Sequence, residues 1–419
     1  MNIKARLILM NFLQFAVWGA YLTSMGTYLA GIGLGNHIGI FYAMQGIVSL
    51  FMPAIMGIIA DRWVPAQRLL GICHLLAALF MGGAGYYGTV SGNAVSFEVL
   101  FAFYSVSVAF YMPTLALSNS VAYSALDQAG LDTIKAFPPI RTFGTIGFIC
   151  SMWLVDLLGF QATPNQFFTC AAWGVLLALY ANTLPECPTS GGGQEKKSFV
   201  EALGLKAFLL FKQRKMAVFF IFSMLLGVSL QITNGFANPF ITSFSVIPEY
   251  ANTFGVQHAN LLISLSQISE TCCILLIPFF LGGFGIKRVM LIAMGAWVLR
   301  FALFGAGNPG NGVWMFILSM LVYGVAFDFF NVSGSLFVDK ETDISIRSSA
   351  QGLFIIMTNG IGATVGTLSA QWVVNRFVDF NSTAPQIEGW SCAWYIFAGY
   401  ALIVAVVFAF VFKYKHVRK

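Results

Sequence analysis

The chain has 419 residues, of which 58% are hydrophobic and only 9% carry a charged side chain. Since about a quarter of the residues in a soluble domain are charged, this composition excludes a chain that lies mostly in water and predicts an all-α polytopic membrane protein. The net charge of +6 reflects basic residues in the loops between predicted spans, so it gives no reason to expect a nucleic-acid partner.

The seven cysteines are scattered, most of them inside apolar runs, without the Cys/Cys or Cys/His spacing of a metal site. We therefore expect no disulfide, no metal and no cofactor. The basic and apolar start of the chain lacks a small-residue cleavage motif after a short core. It is interpreted as a retained first helix rather than a signal peptide.

An apolar segment of about 20 residues is long enough to cross the hydrocarbon core as a helix. Twelve segments of this kind follow one another along the chain. Their approximate limits are 7–29, 38–60, 69–88, 97–125, 140–159, 166–184, 216–245, 258–281, 288–306, 313–337, 349–375 and 392–412.

A hydrophilic stretch rich in Pro, Gly and Lys separates the sixth segment from the seventh. It predicts a six-helix bundle over 1–184, a cytoplasmic connector over 185–215 and a second six-helix bundle over 216–419. When the chain is threaded through twelve spans, all but three of its 22 Lys and Arg residues fall on one side. Cytoplasmic loops collect Lys and Arg, so both termini are predicted to be cytoplasmic.

The two predicted bundles share a sequence pattern, as transporters built from internal repeats do. The second span ends with Pro53, Gly57 and Asp61-Arg62 at intervals of four, and the eighth repeats the Pro-x3-Gly spacing from Pro278. The first of these resembles the cytoplasmic loop motif of the major facilitator superfamily, Gly-x3-Asp-Arg. Together with twelve spans and a central loop, the resemblance implies that fold, with two pseudo-symmetric six-helix bundles.

Two acidic residues lie deep inside predicted spans, Glu270 in the eighth and Asp328 in the tenth. An ionised carboxylate at membrane depth costs at least about 3 kcal/mol, and such residues face protein or a water-filled cavity. Gln267 lies three residues before Glu270 and therefore shares its helix face. Because a neutral residue would serve helix packing at lower cost, we predict that these side chains line a functional pocket.

Other polar and aromatic side chains recur at helical spacing, so each set shares one face of its span. The sets are Asn11, Gln14 and Trp18 in the first span; Arg141, Thr145 and Phe148 in the fifth; Gln231 and Asn234 in the seventh; and Tyr323, Phe327 and Asp328 in the tenth. Hydrogen bonding between neighbouring helices is the alternative explanation, and for the first span it is an equal candidate.

Two isolated features are not assigned to the site. One alternative for Arg300, inside the ninth span, is a pocket group, but a structural partner or a side chain that extends to the membrane interface is favoured. His74 is interpreted as lying at the end of a span.

The predicted pocket combines amides, a hydroxyl group, aromatic rings and two acids, which suits a neutral, polyhydroxylated or heterocyclic ligand. A phosphorylated ligand fits poorly, because Arg141 alone would have to outweigh two carboxylates. This chemistry does not separate a nucleoside from a sugar.

Several stretches, among them FPPIRTFGTIGF, FFIFSMLLGVSLQITN, SLSQISE and VYGVAFDFFNVSGS, resemble bacterial nucleoside permeases of the nucleoside:proton symporter family. The resemblance runs from the first span to the C-terminus and is densest from the seventh span onward. It implies that a nucleoside is held between the two halves by the residues matching Arg141, Thr145, Phe148, Gln231, Asn234, Gln267, Glu270, Tyr323, Phe327 and Asp328.

One departure from the family pattern is Ser229, at a position two residues before Gln231 where an acid can stand. The departure leaves Glu270 and Asp328 as the candidates for carrying the proton.

The resemblance implies a monomeric, proton-coupled nucleoside importer of a bacterial inner membrane that works by alternating access. The nearest alternative is a sugar or glycoside:proton symporter of the same superfamily. No Ser/His/Asp, metal or carboxylate arrangement with catalytic spacing stands at a span end, so an enzyme is not expected. A nucleoside sensor without transport and an uncoupled facilitator stay open as further alternatives.

Overall fold

The computed structural model describes residues 2–189, 205–343 and 346–414 of the chain. Within these residues every regular element is helical. The part that precedes residue 190 contains nine helices, which are α1 (Ile3–Gly19), α2 (Met25–Gly31), α3 (Ile38–Ser49), α4 (Met52–Arg62), α5 (Ala66–Ser91), α6 (Phe97–Tyr111), α7 (Thr114–Gln128), α8 (Thr133–Leu157) and α9 (Asn165–Ala181).

The described residues from 205 onward form the remaining helices. They are α10 (Arg214–Leu230), α11 (Ile232–Ser243), the single-turn α12 (Pro248–Ala251) and α13 (Phe254–Gln257), α14 (Ala259–Cys273), α15 (Ile277–Phe284), α16 (Ile286–Ala306), α17 (Val313–Glu341), α18 (Arg347–Ile355), α19 (Ala363–Phe377) and α20 (Ile387–Val411). A π-helical segment, Ile356–Gly362, joins α18 to α19. Gly285, at φ 76°, separates α15 from α16.

The helices match the hydropathy pattern of a chain that crosses a membrane many times. Nine spans in the described residues are long and apolar enough to cross a bilayer, and α14 with α15 forms a tenth across a 59° bend. The other two predicted segments are also helical: α9 has 17 residues, and the first segment is interrupted between Gly19 and Met25. The prediction of an all-α polytopic membrane protein is therefore confirmed.

The shared Pro-x3-Gly pattern coincides with a helix restart in each half of the chain. α4 begins at Met52 with Pro53 in its first turn, and α15 begins at Ile277 with Pro278 in its first turn. Proline lacks a backbone N–H, and the first turn of a helix is where that loss is tolerated. Both predicted continuous spans are therefore broken just before their proline.

Two compact units are distinguished within the described residues. The first comprises Met1–Gly35 with Ile47–Leu203, and the second comprises Asn36–Gly46 with Gly204–Lys419. Most of the predicted connector over 185–215 cannot be compared, since residues 190–204 lie outside the described part of the chain. The division into 1–184, 185–215 and 216–419 stays a prediction.

Glycine allows α1 to lie directly against α8 in the first unit. A Cβ at Gly19 would meet the backbone of Phe148, and a Cβ at Gly147 would meet the backbone of Phe12. Small residues permit this close approach in membranes, where van der Waals packing between helices is a main source of association. The backbone of α8 is thus held against α1 along the stretch that carries Phe148.

A similar contact joins α14 to α17 in the second unit. A Cβ at Gly324 would lie 2.6 Å from the backbone oxygen of Ser269 and 2.8 Å from Sγ of Cys273. The hydroxyl group of Ser269 also donates a hydrogen bond to the backbone oxygen of Leu321. The two helices that carry the buried acids are therefore in direct backbone contact.

We predict that Gly324→Ala lowers the melting temperature of the purified protein in detergent, because the added methyl group forces α14 away from α17. Overpacking of this kind costs about 1–3 kcal/mol. Gly399→Ala on α20 is the matched control, because a Cβ there meets nothing within 4 Å. Equal melting temperatures for the two variants would contradict the proposed packing.

Candidate substrate site

The two acids of the predicted pocket belong to neighbouring helices of the second unit. Glu270 lies on α14 and is half-buried, whereas Asp328 lies on α17 and is only 5% exposed. Their carboxyl groups are close enough for their charges to interact. Two like charges in apolar spans oppose each other's ionisation. Protonation of one of the two acids therefore relieves both their repulsion and the cost of burying a charge.

Two buried oxygen atoms on α14 and α17 lack hydrogen-bond partners within the described residues. They are Oε1 of Gln267 and Oδ2 of Asp328. A buried acceptor without a donor costs about 1–3 kcal/mol. The pocket face of α14 and α17 therefore offers acceptors that a ligand or a proton would satisfy.

An aromatic pair lies on α17 within two turns of Asp328. The rings of Tyr323 and Phe327 are stacked, with centroids 5.6 Å apart and an angle of 5° between their planes. Trp297 of α16 meets Tyr323 edge to face at 6.0 Å and 88°. The pair thus forms a rigid flat surface, and a heterocyclic base stacks favourably on such a surface.

A break in the seventh predicted span presents two amide side chains. Gln231 lies at the junction of α10 and α11, outside both helices, and Asn234 follows in the first turn of α11. Nδ2 of Asn234 donates a hydrogen bond of 2.7 Å to Oε1 of Gln231. This bond fixes the orientation of both amides, and each of them retains further donor and acceptor capacity.

The remaining three predicted residues lie in the first unit, on α8. Arg141 and Thr145 are half-buried and Phe148 is buried, and their spacing of four and three residues places them on one stripe of the helix. The guanidinium carbon of Arg141 stands 3.8 Å from the ring centroid of Phe15, and Trp18 meets Phe148 edge to face at 6.4 Å. Aromatic contacts from α1 therefore orient the stripe.

The helix α8 begins earlier than the predicted span over 140–159. It begins at Thr133, so Pro138 and Pro139 both lie inside it. The sequence signal failed because proline usually ends a helix in water, whereas neighbouring helices and hydroxyl side chains satisfy the freed backbone groups in a membrane protein.

Comparison with known proteins decides the family. A family model described as "Nucleoside H+ symporter" matches residues 1–417. The chain belongs to this family. Two relatives from Escherichia coli K12 are each 47% identical over 422 residues: the "Xanthosine permease", with 99% of this chain and 97% of the relative covered, and the "Nucleoside permease NupG", with 100% and 98% covered.

Solved structures agree with this assignment. The crystal structure of the nucleoside transporter NupG matches with a TM-score of 0.88 at 45% identity, over 99% of this chain and 100% of that chain. The xylose transporter XylE from E. coli shares the fold alone, with a TM-score of 0.66 at 14% identity over 97% and 95% of the two chains. The predicted family and the major facilitator fold are confirmed, and the relatives are transporters rather than enzymes.

This member of the nucleoside H+ symporter family also contains a buried polar network that sequence reasoning missed. His74 is fully buried within α5, not at a span end, and its Nε2 lies 2.8 Å from Oε1 of Gln14. The amide nitrogen of Gln14 donates to Oγ1 of Thr114 at 2.8 Å, and Thr114 donates to the backbone oxygen of Tyr111 at 2.5 Å. The hydroxyl group of Tyr111 donates back to the backbone oxygen of Gln14 at 2.9 Å.

The direction of these bonds assigns the tautomer of His74. Because Oε1 of Gln14 can only accept, Nε2 of His74 must carry the hydrogen. The network ties α1 to α5 and α7 one turn before Trp18, whose ring packs against Phe148. Hydrogen bonding between neighbouring helices was one of two equal candidates for the set that contains Gln14, and Gln14 does bond to Thr114 and His74. The sequence gave no indication that His74 is its partner.

We predict that His74→Leu lowers the melting temperature of the purified protein, because it leaves Oε1 of Gln14 buried without a donor. The expected loss is about 1–3 kcal/mol. His74→Gln, which can still donate to Gln14, should lose clearly less. Equal melting temperatures for the wild type, His74→Leu and His74→Gln would show that the network contributes nothing to stability.

Proposed function

We propose that the protein imports nucleosides together with protons across a bacterial inner membrane by alternating access. Membership of the nucleoside H+ symporter family supports the substrate class and the coupling ion. The single structural observation that carries the proposal is the interacting pair Glu270 and Asp328 within apolar spans. Such a costly pair is retained where protons and cargo are handled.

We further propose that the nucleoside is bound by ten residues with distinct chemical roles. Stacked rings suit the base, amides match hydrogen-bonding edges of the base or sugar hydroxyl groups, and carboxyl groups accept from hydroxyl groups. The residues are Arg141, Thr145, Phe148, Gln231, Asn234, Gln267, Glu270, Tyr323, Phe327 and Asp328.

Proton coupling follows from the cost of charge in these spans. With both acids ionised, the pocket holds two like charges close together; with one acid protonated, that repulsion disappears and a hydrogen-bond donor is gained. Loading a proton on Glu270 or Asp328 therefore favours binding of a neutral, hydroxyl-rich ligand. Release of the proton on the other side of the membrane reverses the effect.

The available driving force is sufficient for concentrative uptake. Moving one elementary charge through 100 mV is worth about 2.3 kcal/mol. Since about 1.4 kcal/mol corresponds to a factor of ten, one proton per neutral nucleoside supports roughly 50-fold accumulation at that potential.

Both termini are proposed to be cytoplasmic, and the protein is proposed to act as a monomer. The orientation rests on the Lys and Arg distribution across twelve spans, with only Arg141, Arg300 and Arg376 off the basic side.

We predict that Glu270→Gln weakens or abolishes accumulation of radiolabelled uridine in proteoliposomes under an imposed pH gradient, because an amide cannot carry the proton. Glu249→Gln, a substitution of an exposed acid at the single-turn α12, is the matched control and should accumulate uridine like the wild type. Accumulation by Glu270→Gln that kept the wild-type dependence on the pH gradient would remove Glu270 from the coupling step.

Competition of labelled uridine uptake separates nucleoside transport from sugar transport. We expect unlabelled purine and pyrimidine nucleosides to compete, because they offer both a stacking base and sugar hydroxyl groups to the site. Free xylose, maltose and ribose at the same concentrations should not compete, because a free sugar has no base to stack on the aromatic rings. Competition by free sugars but not by nucleosides would favour a sugar:proton symporter instead.

A further inference from the structure

Arg300 occupies an unusual position in the second unit. It lies within α16 and is only 2% exposed, so the interpretation that it extends to the membrane interface is wrong. A buried cation in a span is costly and marks a functional region by default. The contacts of Arg300 therefore have to explain why a charged side chain is buried at this position.

The guanidinium group is held by backbone and hydroxyl oxygens. Nη1 donates to the backbone oxygen of Ser319 at 2.6 Å, and both terminal nitrogens lie 3.4 Å from Oγ of Ser266. Ser319 in turn donates its hydroxyl group to the backbone oxygen of Arg300 at 2.9 Å. Among the residues that the structure describes, no carboxylate lies within salt-bridge distance of this guanidinium.

The faces of two aromatic rings complete its surroundings. The guanidinium carbon lies 4.6 Å from the ring centroid of Tyr323 and 5.5 Å from that of Phe304. A cation over a ring face is attracted by the ring quadrupole, by about 2 kcal/mol when both groups are desolvated. Tyr323 is thus contacted by Arg300 and by the edge of Trp297, both of which belong to α16.

The orientation of Tyr323 is transmitted to Phe327. The two rings are four residues apart on α17 and only 5° from parallel, so a rotation of one ring requires a rotation of the other. A helix-packing contact alone would not require a charge, since Ser266, Ser319 and the neighbouring rings could pack around an apolar side chain. The charge gains its directional contact from the face of Tyr323.

We propose that Arg300 is a positioning residue of the nucleoside site, which fixes the Tyr323–Phe327 ring pair in the orientation that receives the base. This inference rests on the proposed nucleoside transport function. Arg300 does not need to touch the substrate, since it acts through the ring of Tyr323.

A double-mutant cycle tests the proposal. Uridine binding to the purified protein in detergent is measured by calorimetry, and KM and kcat are measured in proteoliposomes, for Arg300→Gln, Tyr323→Leu and the double variant. Arg300→Gln should raise Kd and KM by about tenfold while kcat stays within about threefold. In the Tyr323→Leu background the same change should alter Kd by less than about twofold, because the ring through which Arg300 acts is gone.

Two further variants complete the design. Arg300→Lys keeps the charge but loses the planar fork, so it should recover part of the affinity that Arg300→Gln loses. Arg376→Gln, near the C-terminal end of α19, removes the same charge elsewhere and should bind uridine like the wild type. If Arg300→Gln proves too unstable to purify, Arg300→Lys takes its place in the cycle.

The outcomes separate the positioning role from a purely structural one. Equal losses of affinity from Arg300→Gln in both backgrounds, or wild-type affinity in Arg300→Gln, would overturn the proposal while leaving nucleoside transport intact. A wild-type protein that neither bound nor transported any nucleoside would overturn the proposed function, and the role of Arg300 with it.

Discussion

The structure depends on how charged side chains are accommodated inside apolar helices. Glu270, Arg300 and Asp328 lie on three helices of one unit, and each helix crosses a region where an isolated charge is costly. The close approach of α14 to α17 at Gly324 brings the acids into electrostatic contact. Without a glycine at that point, the carboxyl groups would be further apart and their mutual repulsion would be weaker.

Interruptions of the helices place one residue of the proposed site, Gln231, outside regular helix. The first and seventh predicted spans are both interrupted, the first between Gly19 and Met25 and the seventh at Gln231. Irregular backbone at membrane depth is tolerated only where protein or a cavity covers it, and broken helices mark the binding region of many transporters. The break at Gln231 turns a uniformly apolar segment into one that presents two oriented amides.

Much of the architecture could be predicted because membrane burial imposes simple rules on sequence. Spans stand out by length and hydropathy, and Glu270 and Asp328 stand out because their cost demands a function. The breaks were only partly predictable: helices restart at Pro53 and Pro278, but Pro138 and Pro139 permit a helix to continue. Gln231, with no proline beside it, interrupts one. The partner of His74 was equally hidden, because Gln14 and Thr114 are brought to it by tertiary packing.

Hydrogen bonding differs between two groups of buried polar side chains in this protein. In the network around His74, every donor of the chain of bonds from imidazole to backbone has an acceptor, although Nδ1 of His74 has no hydrogen-bond partner among the described residues. Oδ2 of Asp328 and Oε1 of Gln267 remain without donors in the described residues. Natural proteins rarely leave such acceptors unpaired unless a function repays the cost. The two groups thus differ in their hydrogen-bond partners, a difference that the residue types in the sequence do not show.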